Sequence, residues 1–220
     1  MTDHKPARRA RRRIRIRKLR VVGLLVVIVA IVATLGRQSP SSSSSSAAPP
    51  VDVVRDGEHA RAPREARGGL GEAGGAVPDG TTVFADDVPG VAKLDPELTD
   101  ALRLAATDAA ADGVEFVVDS GWRSPAYQEQ LLREAVAKYG SEAEAARWVA
   151  TPETSAHVSG DAVDIGPAGA AAWLSEHGAW YGLCQIYGNE PWHYELRPEA
   201  ADQGCPAMYA DPTQDPRMRQ

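Results

Sequence analysis

Two short stretches in the second half of this chain contain residues that can bind a metal ion and move a proton. The stretch SAHVSGDAVD contains His157 and Asp164, and the stretch NEPWHYE contains Glu190 and His193. Two neutral histidines and one carboxylate form a three-ligand set that leaves a fourth zinc position for water, and a nearby carboxylate can take that water's proton. These residue types therefore indicate a metal-dependent hydrolase.

The first stretch needs a bend between its two candidate ligands. The Pro, Ser and Gly content of residues 151–161 predicts a loop, and residues 162–165 are predicted to form a strand. We therefore expect His157 to lie before a turn at Gly160, and Asp164 to lie on the strand that follows. Asp161, next to the turn, is expected to point into solvent.

The second stretch also needs a bend. Glu190 and His193 are three residues apart, so in a regular strand their side chains would point to opposite faces. Pro191 and the preceding Gly188 and Asn189 must bend the chain if both side chains are to address one metal ion. Glu195 shares the face of His193; an exposed sheet position is the favoured interpretation, and a contact that supports the ligand is the alternative.

Helices and strands alternate irregularly around these stretches, which predicts an α+β domain with a small antiparallel sheet flanked by helices and a zinc site at the sheet. Hydrophobic spacing of three and four residues marks the helices, and short β-branched runs mark the strands. The predicted helices cover residues 94–112, 141–150 and 168–177, with another that starts at Ser124-Pro125; the remaining predicted strands cover 114–119, 182–187 and 192–196.

The charge of the chain is divided unevenly. Residues 1–20 have a net charge of +9 and the remaining 200 residues a net charge of −15. The basic run is followed by VVGLLVVIVAIVATL, which has no charged residue. This order is typical of a signal anchor or a cleaved secretory signal whose positive end stays in the cytoplasm, and an uncleaved transmembrane helix is favoured. A nucleic-acid binder is disfavoured, since the acidic remainder would repel phosphates.

A Ser-, Pro-, Gly- and Ala-rich stretch follows the apolar run and predicts a disordered tether, because it has few large apolar residues to bury. The catalytic domain is therefore expected outside the cytoplasmic membrane, on the cell-wall side, or secreted if the signal is cleaved. The predicted organisation is a cytoplasmic tail at 1–20, an anchor at 21–36, a tether at 37–76, a domain at 77–210 and a C-terminal tail at 211–220.

Cys184 and Cys205 are the two cysteines of the chain. An even number of cysteines in an oxidising compartment favours a disulfide. By closing a loop, it would stabilise the folded state by about 3 kcal/mol. Two buried thiols or two zinc thiolates are the alternatives, although the paired spacing of a structural zinc site is missing.

Three segments together resemble one known family. SAHVSGDAVD is similar to the SxHxxGxAxD signature, and EPWH to the ExWH signature, of the zinc D-alanyl-D-alanine carboxypeptidases and dipeptidases, the VanY-like group. The upstream SGWRSPAYQEQLL resembles the SGYRS…Q segment of that family, with Trp122 where tyrosine is common. The segments come in the family's order, and the resemblance covers roughly residues 80–210.

The resemblance implies a role for each matching residue. It implies that Glu190 is the general base, that Arg123 binds substrate and stabilises the oxyanion, and that Ser155 and Gln128 help to hold the substrate. The same resemblance assigns the zinc ligands to His157, Asp164 and His193.

The resulting prediction is a membrane-tethered, zinc-dependent carboxypeptidase that removes the terminal D-alanine of peptidoglycan stem peptides. A peptidoglycan endopeptidase and a D-Ala-D-Ala dipeptidase are alternatives within the family. A non-catalytic cell-wall-binding module is the alternative from another class.

Overall fold

The structure of this chain is a computed structural model that describes residues 70–219. Its centre is a four-stranded antiparallel sheet with strands β1 to β4 in the order β1-β2-β4-β3. The predicted α+β class with a small antiparallel sheet is therefore confirmed. The strands are β1 (Val117–Ser120), β2 (Ala162–Gly166), β3 (Leu183–Gln185) and β4 (His193–Leu196).

Seven α-helices or single helical turns surround the sheet within residues 70–219, and short 3-10 turns connect several of them. The two long helices are α2 and α3, as the hydrophobic spacing and the Ser-Pro start predict. The α-helices are α1 (Pro89–Ala92), α2 (Pro96–Ala111), α3 (Pro125–Tyr139), α4 (Glu142–Ala145), α5 (Ala156–Ser159), α6 (Ala168–His177) and α7 (Ala200–Gln203).

Both long helices begin at a capping residue followed by proline. The Asp95 carboxylate accepts hydrogen bonds from two backbone N–H groups at the start of α2, and the Ser124 hydroxyl accepts one at the start of α3. Proline fits the first helical position because that N–H has no partner inside the helix. The Ser124 cap also fixes where α3 begins, two residues after Arg123.

The core lies between α2, α6 and the sheet. All five residues of β2 are buried, because this strand has a neighbour on each side and helices pack near it. The largest apolar side chains of the core, each 1% exposed or less, are Val91, Leu98, Leu102, Val118, Val163, Ile165, Leu174, Leu183 and Tyr194.

Several predicted elements differ from the structure. The strand predicted at 114–119 is found at Val117–Ser120, and the strand predicted at 182–187 is found at Leu183–Gln185. The helix predicted at 141–150 ends after Ala145, and residues 146–148 form a turn. The loop predicted at 151–161 contains a turn of helix, α5, which ends at Gly160 in the left-handed conformation. A helical turn of four residues is too short to show hydrophobic spacing, and the Ser and Gly content around it is typical of a loop.

Residues 211–219 form two 3-10 turns that pack on the domain, where the sequence predicts a C-terminal tail. Asp211 and Asp215 are buried in these turns, at 6% and 0% exposure. Their side-chain partners are Arg147 and Tyr187, which are distant in the chain, and Thr213 and Arg217, which are each two residues away. Hydrophobic patterning carries no signal for the two distant contacts.

Cys184 and Cys205 are joined in a disulfide with an S–S distance of 1.98 Å. Within residues 70–219, no helix is both long and apolar enough to cross a membrane. The predicted cytoplasmic tail, anchor and most of the tether lie outside the described residues.

Candidate metal centre

The register of the two central strands places two of the candidate ligands side by side. Asp164 on β2 pairs directly with His193 on β4. Directly opposite residues on antiparallel strands have Cβ atoms about 5 Å apart and share a face of the sheet. His193 Nδ1 accordingly lies 3.3 Å from Asp164 Oδ1.

The third candidate ligand comes from helical turn α5. Gly160, at φ 88°, ends that turn and sends the chain into β2, which brings His157 back over Asp164. His157 Nδ1 lies 2.8 Å from the carbonyl oxygen of Gly121 and must donate to it, because a carbonyl can only accept. In the neutral ring, Nε2 then has a free lone pair, and it lies 3.4 Å from Asp164 Oδ1.

His157, Asp164 and His193 form a compact, fully buried group. One ligand atom from each lies within 4.8 Å of the other two. It is the only group of three or more His, Cys, Asp or Glu residues within 70–219 that can hold a metal ion. The donor set of two imidazole nitrogens and one carboxylate oxygen suits zinc in a catalytic site with one open position.

The three ligands titrate differently because their surroundings differ. Burial, followed by the charge of Arg123, lowers the pKa of His157 and keeps it neutral. Burial alone would raise the pKa of Asp164, but His157, His193 and Arg123 hold it well below its usual range. Burial would also lower the pKa of His193, but hydrogen bonds to Asp164 and Glu195 outweigh it and raise that pKa to about 10. The two carboxylates beside His193 thus stabilise a positive charge at this position.

Glu190 lies at the edge of this group. The backbone N–H of His193 bonds to the Glu190 carbonyl at 3.1 Å, which makes residues 190–193 a turn with Pro191 inside it. The turn brings Glu190 Oε2 to 3.8 Å from His193 Nδ1, as the bend predicted from Pro191 requires. Burial raises the pKa of the Glu190 carboxyl to about 7. Its Oε1 atom is buried and has no hydrogen-bond partner among the described residues.

Arg123 lies on the other side of Asp164 and holds it through a charged hydrogen bond. Its Nη2 donates to Asp164 Oδ2 at 3.0 Å, its Nη1 to Gln128 Oε1 at 3.1 Å and its Nε to Ser120 Oγ at 2.8 Å. Asp164 therefore turns one oxygen to the arginine and the other to the two histidines.

Gln128 and Ser155 lie next to this network. Gln128 is 1% exposed, and its Nε2 donates to the carbonyl oxygen of Ala150 at 2.8 Å. Its amide therefore ties Arg123 to the segment before α5. Ser155 is buried at the N-cap of α5, two residues before His157.

The structure adds two residues to the predicted site. Glu195 is 1% exposed, so the favoured interpretation as an exposed sheet position is wrong and the alternative of a contact to the ligand is right. Its Oε1 lies 3.3 Å from His193 Nε2. Arg217 contacts both oxygens of Glu195. The two-residue spacing from His193 was the sequence signal for Glu195. The sequence carries no signal for Arg217.

Two buried histidines, an aspartate and an adjacent glutamate define a site of the metallopeptidase type, and comparisons with known proteins agree with it. The family model VanY, D-alanyl-D-alanine carboxypeptidase, matches residues 91–199. A curated D-alanyl-D-alanine carboxypeptidase of Enterococcus faecalis is 34% identical in an alignment of 127 residues, and the match covers 46% of this chain and 47% of that protein. The chain thus spans about half the length of this curated relative.

Two solved structures are also similar. One is a vancomycin resistance D,D-pentapeptidase VanY from a VanB-type resistance cassette in complex with Zn(II), at 32% identity and a TM-score of 0.47, covering 50% of this chain and 76% of that chain. The other is VanYB in complex with D-alanine-D-alanine, at 34% identity and a TM-score of 0.47, covering 50% of this chain and 75% of that chain. On the family match, the chain contains a domain of the VanY family of D-alanyl-D-alanine carboxypeptidases at residues 91–199.

Proposed function

We propose that this protein is a zinc-dependent D-alanyl-D-alanine carboxypeptidase that removes the terminal D-alanine of peptidoglycan stem peptides. The observation that carries the proposal is the buried group of His157, Asp164 and His193 with Glu190 beside it. These three residues would hold a zinc ion, which acts as a Lewis acid. When bound, it would polarise the scissile carbonyl and lower the pKa of a water molecule to about 7.

Glu190 moves the proton. Its unpartnered Oε1 can accept a proton from the attacking water, and a carboxyl with a pKa near 7 can then return it to the leaving amine nitrogen. The water oxygen bonds to the carbonyl carbon, the C–N bond before the terminal D-alanine breaks, and the free amino acid leaves. Zinc in one relative and D-alanine-D-alanine in another support this substrate and cofactor.

Arg123 positions both protein and substrate. Its three side-chain hydrogen bonds use three of the five N–H donors of the guanidinium. The remaining donors can reach a substrate oxygen and stabilise the negative charge that develops there. Gln128 keeps the guanidinium in place. Ser155, buried two residues before His157, helps to hold the substrate in this proposal.

The domain acts outside the cytoplasm in this proposal, tethered by the apolar segment at 21–36. Three sequence features support that address: the basic run at 1–20, the uncharged apolar run after it, and an even number of cysteines. The Cys184–Cys205 disulfide suits an oxidising compartment.

The decisive experiment digests defined muropeptides that end in D-Ala-D-Ala and follows the products by mass spectrometry, with and without a chelator. We expect loss of one D-alanine, abolished by the chelator and restored by zinc. Glu190→Gln is expected to bind zinc but to lose hydrolysis by about 100-fold or more, since general acid–base catalysis contributes that much.

Glu129→Gln is the matched control, because the Glu129 side chain on α3 is 47% exposed and pairs with its helix neighbour Arg133. Unchanged D-alanine release by Glu190→Gln would overturn the mechanism. Cleavage inside the stem peptide would assign the endopeptidase alternative. Hydrolysis of free D-Ala-D-Ala with the muropeptides left intact would assign the dipeptidase alternative. Zinc binding without any cleavage would assign the binding module.

A further inference from the structure

A buried carboxylate lies behind the candidate ligand His193, on the side away from Asp164. Glu195 Oε1 is 3.3 Å from His193 Nε2, while His193 Nδ1 is 3.3 Å from Asp164 Oδ1. A carboxylate accepts hydrogen bonds, so Glu195 orients the ring with Nε2–H toward itself and Nδ1 toward the candidate metal position. The orientation of His193 thus depends on where Glu195 is held.

Two arginines neutralise Glu195, and they do so differently. Arg197 Nη2 contacts only Oε2, at 2.6 Å, and the Nη1 of the same side chain bonds to the carbonyl oxygen of Leu196. Arg217 contacts both oxygens, with Nη1 2.7 Å from Oε2 and Nη2 3.1 Å from Oε1. Arg217 therefore reaches the oxygen that faces His193, and its planar fork fixes the plane of the carboxylate.

Arg217 is itself held in place by a buried acid. Its Nε lies 2.9 Å from Asp215 Oδ2, and Asp215 is fully buried. The Tyr187 hydroxyl donates to the same Asp215 oxygen at 3.0 Å. A buried carboxylate such as Glu195 is costly unless it is paired and hydrogen-bonded, so this chain of contacts has an energetic reason.

The residues that carry Arg217 are fastened to the domain at several points. We call residues 205–219 the C-terminal segment. The disulfide joins its first residue, Cys205, to β3. Tyr209 pairs with Tyr187, and Asp211 Oδ2 accepts from Arg147 Nε at 3.1 Å. The segment lies beyond residues 91–199, the part that the family model matches.

We propose that Arg217 is a positioning residue for the metal centre, supplied by the C-terminal segment. It holds Glu195 in the plane and position in which Oε1 receives Nε2–H of His193, and so keeps His193 Nδ1 aimed at the metal. The proposal rests on the function proposed above for the same site. It assigns a role in zinc binding to a part of the chain outside the family match.

The test compares Arg217→Met with Arg219→Met in the full chain. Arg219 is exposed and forms no ion pair with any other residue in the described part of the chain, so it controls for loss of a C-terminal positive charge. Zinc dissociation constants are measured by competition with a chromophoric chelator. Loss of a group behind a metal ligand typically costs 10- to 100-fold in affinity, so we expect about 10-fold for Arg217→Met and no change for Arg219→Met.

Two further measurements separate positioning from general stability. The visible absorption spectrum of the cobalt-substituted protein reports ligand geometry, and we expect it to change in Arg217→Met at temperatures where circular dichroism shows a folded protein. Arg217→Lys keeps the charge but not the fork, and we expect an intermediate zinc affinity. This variant serves also if Arg217→Met does not fold.

Glu195→Gln provides the coupling test. If both residues act through one contact, Arg217→Met in the Glu195→Gln background is expected to cost less than 3-fold further in zinc affinity. Wild-type affinity and an unchanged cobalt spectrum in Arg217→Met, or fully additive losses, would overturn the proposal. Those outcomes would overturn only the role of Arg217, because they do not affect D-alanine release by the wild-type protein. A wild-type protein that binds zinc but releases no D-alanine would overturn only the proposed function.

Discussion

Asp164 contacts three neighbouring side chains with its two oxygens. Oδ1 faces both histidines and Oδ2 accepts from Arg123, so the carboxylate is held on the side away from the metal position. Charge-assisted hydrogen bonds of this kind are shorter and stronger than neutral ones. A ligand fixed in this way needs little reorganisation when a metal ion binds.

The same contact makes Arg123 sensitive to substitution. Arg123→Lys keeps the positive charge but loses the planar fork that contacts Ser120, Gln128 and Asp164 together. We expect kcat/KM for D-alanine release to fall about 100-fold, comparable to the loss of one donor to an oxyanion. Steady-state kinetics on a defined pentapeptide measure this.

Arg133→Lys is the control for that variant, because Arg133 is an exposed residue of α3 that pairs with Glu129 one turn earlier. Kinetics within 2-fold of wild type are expected for it, since surface pairs contribute about 1 kcal/mol or less. Equal effects of the two substitutions would show that the fork of Arg123 has no special role.

At the scale of elements, the site depends on how α5 meets β2. Gly160 lies between them with φ 88°, and its carbonyl oxygen accepts the backbone N–H of Asp95, the residue that caps α2. A Cβ atom at this position would lie 2.6 Å from the carbonyl oxygen of Lys93. One glycine thus sets the angle at which His157 approaches Asp164.

Gly160→Ala is therefore expected to lower the free energy of unfolding by about 2 kcal/mol, through the left-handed backbone and the clash with Lys93. Urea unfolding of the metal-free protein measures the loss. Gly169→Ala is the matched control: no atom lies within 4 Å of the added Cβ, and the position is helical, so a gain of about 0.5 kcal/mol is expected. Similar losses in both variants would contradict the backbone argument.

At the scale of the whole molecule, charge and hydropathy divide the chain into parts with different tasks. The 20 residues at the start have a net charge of +9, and everything after them sums to −15. In the function proposed above, the positive flank before the apolar run would keep that end in the cytoplasm and place the acidic domain on the other side of the membrane. The proposed catalytic residues all lie far along the chain from this segment.

Deletion of residues 1–36 is therefore expected to move the protein from the membrane fraction to the soluble fraction when it is expressed in a bacterial host. D-alanine release per molecule of zinc-loaded protein should stay within 2-fold of the full chain, because no proposed site residue is removed. Fractionation with an alkaline carbonate wash and the muropeptide assay measure the two outcomes. A full-length protein found wholly in the culture medium would indicate a cleaved signal instead.

The sequence by itself determined the α+β class, the start of α3, the extent of α6, and the two motifs that hold His157, Asp164, Glu190 and His193. These features depend on local patterns: hydrophobic spacing, capping residues before proline, and short runs with chemically distinctive residues. The resemblance to the VanY-like group came from the same local runs.

The tertiary structure decided what those residues touch. It paired Asp164 with His193 through strand register and gave Arg123 to the second oxygen of Asp164. It also buried Glu195 and brought Arg217 to it across 22 positions of chain. An ion pair between distant residues leaves no periodic signal in a sequence, because any acid and any base could form it. Only the folded chain, which must neutralise each charge that it buries, shows which ones do.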